Sequence, residues 1–485
     1  MIYSKKHTVY VLALAAASLL GCGQESVVHT GAVLSFETNA AYVAVQDSPT
    51  GAWQMQLRDN PPERLASKSI VLRDPAKRYG LVFVCPGVDD TSAGGFATVK
   101  PNLATAFFST ADELPSVTLV CRERISGSTS GKLVGSIKLD AKSEKFGQEY
   151  VDISIGDSIS LRAVEAYATE VAAGSYDVLA MKGALNDADE IIPNAFFAGS
   201  ASSVAQVPGA ADIRFTDQFG AATLVDPGGA QQTTATIAGL ESLEPGETWI
   251  ARVGFVGQNK GYLLLKESRE PTLDFVRVPA NLISRDSGGN VVKTRTRFIG
   301  DRQAHELSVR VADAAGIERR AYYRFFADKS TIAAGLPAKV VSQPTVQLNS
   351  DATRTIVRAM WSGYADPIAG SGVLYRLEVS GDAVPKAVAA TATPPPTRPL
   401  TWTSYLTRGW NGADNFDYTL PDLSKAVGWD RNWDLKANQS IAWVQHSYAS
   451  HSKAGLVVDY LENKKAVDGL DFAVVHQKDV AAPGP

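Results

Sequence analysis

The 485-residue sequence is poor in the side chains that most often carry chemistry: six histidines, three cysteines and four methionines. So few imidazoles leave little room for a histidine-based metal centre or an imidazole acid–base pair. No Gly-x-Ser-x-Gly nucleophile elbow occurs, and Gly127-Ser-Thr-Ser-Gly131 has threonine at its centre and reads as a loop. A phosphate loop, a Gly-x-Gly-x-x-Gly turn after a strand-like run and a zincin motif are all missing. Charge of either sign is thin as well. The net charge is −4, which gives no electrostatic reason to expect a nucleic acid as partner. No apolar run reaches the roughly 18–20 residues that a membrane-spanning helix needs.

What the sequence does have begins at its start. Lys5-Lys6-His7 is followed by Val9 to Leu20, 12 residues without a charge. A short positive start and a short apolar run describe a secretory signal. The run ends Leu19-Leu20-Gly21-Cys22 rather than in an Ala-x-Ala site. These four residues resemble the lipobox of bacterial lipoproteins and stand where a lipobox belongs. The resemblance covers about the first 22 residues. It implies cleavage between Gly21 and Cys22, acylation of Cys22 and a membrane anchor made of lipid. Stable anchoring takes more than one acyl chain, at about 0.8 kcal/mol per buried CH₂. In that family Asp after the cysteine favours the inner membrane, so Gly23 implies the outer membrane where the cell has one. Without residues 1–21 the chain loses Lys5 and Lys6 and no acid, which leaves 45 basic against 51 acidic side chains, net −6.

Two cysteines remain, Cys85 and Cys121, and export permits a disulfide between them. Each ends a strand-like run, Leu81-Val-Phe-Val-Cys85 and Val117-Thr-Leu-Val-Cys121. Squarely paired antiparallel neighbours would hold these two ends apart. A bridge therefore requires a parallel neighbour, a slipped pairing or contact across two sheets. Two buried free thiols are the alternative.

From about residue 33 the pattern is short runs of alternating polarity separated by Gly, Pro, Asn and Asp. Ala41–Gln46 and Ala52–Leu57 flank the turn Asp47-Ser-Pro-Thr-Gly51 as a hairpin would. Thr110-Ala-Asp-Glu113 fits a capping box that Pro115 limits to about one turn. Few segments keep a 3.6-residue period. Strands at roughly ten-residue spacing predict an all-β chain of several β-sandwich units in tandem. The expected organisation is a signal over 1–21, a tether over 22–32, a β domain over 33–126, one or two sandwich units over 131–338, a sandwich unit over 339–479 and a disordered tail over 480–485. Length alone suggests about three domains.

Three weaker resemblances accompany this reading. Val43–Asp47 with Gly51-Ala-Trp53, Tyr79–Cys85 and Thr110–Leu114 are similar to an N-terminal module of uncharacterised bacterial surface lipoproteins, which implies no activity. Gly174–Met181 looks like the closing strand of Ig-like or transthyretin-like sandwiches, and Pro245–Val253 has a similar cadence. Tyr418–Ser424 before Gly428–Trp433 resembles fibronectin type III modules. Thr393-Pro-Pro-Pro-Thr-Arg-Pro399 reads as a polyproline II loop within that last unit.

Candidate site residues are few. His446 and His451 could furnish two metal ligands, but read more simply as strand and turn side chains facing solvent. Asp187-Ala-Asp189-Glu190 could attract Ca²⁺, yet lacks the glycine and distant Glu of an EF-hand loop and reads as a solvated turn. Six of eight tryptophans lie after residue 360. As a set they suit a core, and Trp410 and Trp433, beside Gly, Asn and Asp, are the two expected on an exposed binding surface. No catalytic residue, metal or cofactor is assigned. The expectation is a lipid-anchored envelope protein, most simply of the outer membrane, with a non-catalytic binding or structural role. Its partners would be the membrane through Cys22, envelope proteins or glycans. A glycan-directed hydrolase or carbohydrate-binding protein is the alternative.

Overall fold

Alternation of side chains along Thr355–Ser362 shows why this chain forms strands. Thr355, Val357, Ala359 and Trp361 are buried, while Ile356, Arg358 and Met360 between them are partly exposed. The period of two puts one set of residues on each face of a pleated strand. The computed structural model describes residues 31–482 apart from 63, 88, 91–97, 100, 122–130, 137–149, 156–158, 164–165, 172–173, 186–190, 205–212, 216–221, 224–231, 258–260, 279–280, 286–290, 297–303, 341, 352, 386–397 and 413–414. Cys22, His29, the acidic turn Asp187–Glu190 and most of the proline-rich loop lie outside the described residues.

The chain is all-β, built of sandwich units in tandem that share one long sheet. That sheet has thirteen strands. Twelve run, edge to edge, as Tyr262–Ser268, Thr248–Val256, Ala304–Ala312, Glu318–Phe326, Asp471–Ala481, Ile441–Ala449, Gly370–Asp382, Pro399–Thr407, Asn102–Thr110, Arg78–Cys85, Tyr42–Gln46 and Gln54–Leu57. Neighbours are antiparallel except Pro399–Thr407 with Asn102–Thr110, which run parallel with Leu400 opposite Asn102 and Leu406 opposite Phe108. Strands from the segments 33–126, 131–338 and 339–479 thus meet edge to edge by backbone hydrogen bonds.

Both faces of the sheet are covered. On one face sit two three-stranded sheets, Gln232–Ala238 with Thr272–Val276 and Thr331–Gly335, and Thr355–Ser362 with Thr345–Ser350 and Asn415–Thr419. Their Ile237, Phe275, Ile332, Val357 and Trp361 join a core that includes Tyr322, Leu377 and Trp402 of the long sheet. On the other face sit the sheet of Val33–Thr38, Ala66–Val71 and Ser116–Leu119, and the helix Ala454–Asn463. The helix carries apolar residues at 454, 457, 458 and 461, one stripe of a 3.6-residue period. Ala454, Val457 and Tyr460 pack into a second core with Phe325, Tyr448 and Phe472. The Tyr460 hydroxyl donates to the buried Glu306 carboxyl at 2.7 Å, and burial pushes that carboxyl above its ordinary range. Among the described residues no helix is long and apolar enough to cross a membrane.

Cys85 and Cys121 are joined by a disulfide, with Cα atoms 5.5 Å apart. Cys85 ends a strand of the long sheet, and Cys121 follows the strand Ser116–Leu119 of the covering sheet, so the bridge crosses two sheets. Asn39 holds the far end: its carboxamide accepts from the Cys121 N–H at 2.6 Å and donates to the Cys121 carbonyl at 3.2 Å. The capping residues Thr110 and Glu113 make one turn, as their spacing and Pro115 imply. Their carboxylate reaches further, accepting from Thr407 Oγ1 at 2.5 Å and from the Gly409 N–H at 2.9 Å.

Candidate functional site

The strand Asp471–Ala481 runs on past Glu318, where its neighbour Glu318–Phe326 begins, because Arg320 is already opposite Val475. A cleft of about 370 Å³ opens at this corner. Its walls are the turn bearing Glu244 and Glu247, the connection bearing Lys339 and Gln343, and the strand end Val475–Lys478. Trp443, 7% exposed, and Arg320, 2% exposed, form its buried side. Small-molecule sites span roughly 300–1,000 Å³, so the size suits a small ligand.

The charges in the cleft are organised. Arg320 Nη1 donates to the Pro337 carbonyl at 2.7 Å, and Nη2 meets Glu247 Oε2 at 2.9 Å. Its buried Nε donates to nothing among the described residues. Lys339 Nζ lies 2.5 Å from Glu244 and 3.9 Å from Glu247. Hydrogen bonding to Lys339, with its charge, holds the Glu244 carboxyl below its usual range. Glu244 is thereby the opposite of the raised carboxyl a general acid needs. Gln477 Nε2 donates to the Ser342 carbonyl at 3.2 Å, and Gln343 is exposed at the rim. The lining offers amide, guanidinium, ammonium and carboxylate groups beside one indole.

A second constellation adjoins the cleft through His476, which also lines it. Strand register sets His446 opposite His476, and their Nδ1 atoms are 2.6 Å apart. His446 Nε2 lies 3.2 Å from Glu378, and His476 Nε2 lies 3.4 Å from Glu318. Arg376 closes one end at 2.8 Å from Glu378, and Arg310 the other at 3.7 Å from Glu318. Burial pushes both carboxyls up, but the histidine contact and the neighbouring arginine outweigh it and hold each below its ordinary value. Burial lowers His446 to about 4, against the contrary pull of Glu378 and with His476 and Arg376 adding to the fall.

The sequence-based candidates are placed differently from expectation. Trp433 is not on an exposed surface: it is 9% exposed and packs against Tyr42 and Trp429 at ring-centroid distances of 5.3 and 5.2 Å. The Trp402 indole N–H donates to the Trp433 carbonyl at 3.2 Å. Trp410 is half-buried against Phe108 at 5.2 Å. The polar residues around Trp433 belong to a loop that folds back over Tyr42, and Trp410 sits in the single helical turn Arg408–Asn411, so local polarity misreports their burial. His446 does not face solvent either, since its side chain is 13% exposed and its partner is His476. His451 is exposed at 63% and lies 3.4 Å from Asp471. The structure thus separates the two histidines and brings together a pair that spacing did not suggest. Among the described residues no three His, Cys, Asp or Glu side chains converge as a metal site would require. His305, fully buried, is a core residue: its Nε2 accepts from the Val278 N–H at 3.0 Å and its Nδ1 meets the Ala327 carbonyl at 2.9 Å.

Fold and cleft together define a large all-β sandwich protein with a polar, ligand-sized recess among its described surfaces. No protein-family description matches the sequence, and no curated protein matches it. Among solved structures, a candidate adhesin from Bacteroides ovatus aligns with 44% of this chain and 94% of its own, at 8% identity and a TM-score of 0.16.

Proposed function

We propose that the chain is a lipid-anchored protein of the cell envelope, held through Cys22, whose body binds a saccharide without chemical turnover. The observation that carries the binding reading is the cleft between Glu247, Lys339 and Trp443. Sugars present hydroxyl groups that both donate and accept, and C–H faces that stack on aromatic rings. A recess lined by amides and paired charges beside one largely buried indole supplies donors and acceptors with a small apolar side. A greasy ligand would strip water from these polar groups and offer them no hydrogen bond in return. The ion pairing of both cleft carboxylates supports binding over hydrolysis. Glycosidases need two carboxyls of which one is kept protonated.

Glycan-array binding by the fragment from residue 33 onward tests the ligand class. Binding without release of reducing ends supports the reading, and release of reducing ends replaces it with the hydrolase. The anchor is tested separately. Cys22→Ser is expected to shift the protein from the membrane to the soluble fraction, and a variant as membrane-bound as the parent removes the lipid anchor from the account.

A further inference from the structure

The charges that line the cleft do not cancel. Arg319, Arg320, Lys339 and Lys478 are cationic, and Glu244 and Glu247 are anionic. Both carboxylates already face cations of the cleft. Glu247 lies 2.9 Å from Arg320 and accepts the Glu244 N–H at 2.8 Å, and Glu244 lies 2.5 Å from Lys339. Arg319 and Lys478 are left over. Arg319 turns to Asp313, outside the lining, with Nε and Nη2 each at 2.7 Å. The ammonium of Lys478, exposed near the end of its strand, makes no ion pair and no hydrogen bond among the described residues. Topology sets these two cations at one corner. Arg319 precedes Arg320, which stands opposite Val475, and Lys478 follows Val475 by three residues on the strand that runs past its neighbour.

Burial sharpens the imbalance. The Arg320–Glu247 pair lies on the buried side, out of a ligand's reach. At the rim, side-chain exposure is 64% for Glu244, 37% for Lys339 and 40% for Arg319, with Lys478 exposed beside them. A ligand therefore meets three cations and one carboxylate. The acids nearby are committed elsewhere, and none of them lines the cleft. Asp313 holds Arg319, Glu318 lies 3.7 Å from Arg310, and Asp479 accepts the Val480 N–H at 2.8 Å. A cationic ligand would set like charges against this rim. An anionic one gains charge-assisted hydrogen bonds and is drawn toward the cleft from a distance.

We propose that the cleft takes an acidic saccharide, one that carries a carboxylate or a sulfate, and that Lys478 and Arg319 read the charged group. This names the class of saccharide and rests on the saccharide reading of the cleft. Lys478 supplies three N–H donors on a flexible stem, and the guanidinium of Arg319 keeps its Nη1 for the ligand. The amides of Gln343 and Gln477 are left for the hydroxyl groups. Carboxylate and sulfate oxygens only accept, so either satisfies the surplus of donors at the rim.

The test is calorimetric titration of the full chain with oligomers of galacturonate and of hyaluronan and with sulfated cello-oligosaccharides. Each is measured beside its carboxyl-reduced or unsulfated counterpart. At least one acidic oligomer is expected to bind about 10-fold or more tightly than its neutral counterpart, and to weaken as salt rises from about 50 to about 500 mM. Which of them binds tells carboxylate from sulfate. Lys478→Gln should bind that oligomer about 3-fold to 10-fold more weakly, with an unchanged circular dichroism spectrum. Lys425→Gln removes the same charge from the loop over Tyr42 and should bind it like the parent. Neutral counterparts that bind as tightly, or a Lys478→Gln variant as tight as the parent, overturn the proposal and leave the saccharide reading standing. No binding of any saccharide, acidic or neutral, removes the cleft reading and the proposal with it.

Discussion

Phe107 and Tyr405 stack with ring centroids 5.0 Å apart and planes inclined by 12°. They belong to the parallel strands Asn102–Thr110 and Pro399–Thr407, where Tyr405 is directly opposite Phe107. Residues from near the two ends of the chain therefore share a core contact, and Tyr405 also donates to Glu462 of the covering helix. Phe107→Ala removes a fully buried ring from this seam. The expected loss is about 3–5 kcal/mol of unfolding free energy, measured by chemical denaturation. The N-terminal and C-terminal segments should lose stability together, because they share the sheet. A variant whose C-terminal segment melts like the parent's would contradict this.

The disulfide between Cys85 and Cys121 spans 36 positions. Closing a loop of that length restricts the unfolded chain by about 4 kcal/mol in the chain-entropy description. Reduction, or Cys85→Ala with Cys121→Ala, should lower the melting temperature accordingly. A thiol assay on the denatured, unreduced protein should find neither cysteine free. Finding both free would remove the bridge.

His446 makes stability depend on pH. Its folded pKa, about 4, lies below the ordinary 6.5, so the unfolded chain binds the proton more readily. Stability rises with pH wherever the unfolded state holds more protons. The contribution is whole above about pH 6.5, falls as pH drops toward 4 and is then exhausted, a loss of about 3 kcal/mol. Glu318 and Glu378, held below their usual range, add to the loss at still lower pH. His446→Gln should flatten the unfolding free energy between pH 6.5 and 4, as followed by urea denaturation at each pH.

Asp434 works in the opposite sense. Burial raises it from 3.8 to about 6, with the Arg354 charge and the Trp429 indole N–H opposing. The folded chain binds the proton more readily, so its ionisation costs stability as pH rises through that interval. Asp434→Asn keeps an acceptor for Trp429 and should stabilise by about 2–3 kcal/mol at pH 7, with the gain gone below pH 3.8. Equal gains at both pH values would show that packing, not charge, is responsible.

The parts of the fold that depend on local pattern could be read in advance. Alternation over Thr353–Trp361 marks a strand, observed as Thr355–Ser362, and Thr110–Glu113 makes the single turn that Pro115 allows. What could not be read is register between distant strands. Nothing near Leu400 says that it pairs with Asn102, and nothing near His446 says that His476 is its partner 30 residues on. The cleft residues suffered the same way. Arg320, Glu247, Lys339 and Gln477 come from four separate segments, and only the topology assembles them. Trp443 carried a usable signal, an apolar residue on the odd face of Ile441–Ala449, but it counted toward core, which is also where it lies.

The account rests on the cleft at Trp443, and saccharide affinity of the intact chain against a rim variant tests it most directly. Gln343→Ala with Gln477→Ala removes two amides without touching the buried Arg320–Glu247 pair. At about 1–1.5 kcal/mol per hydrogen bond, a glycan identified on the array should bind the variant about 30-fold to 150-fold more weakly, with the melting temperature unchanged. No glycan binding by the parent chain, or equal affinity of parent and variant, would contradict the account.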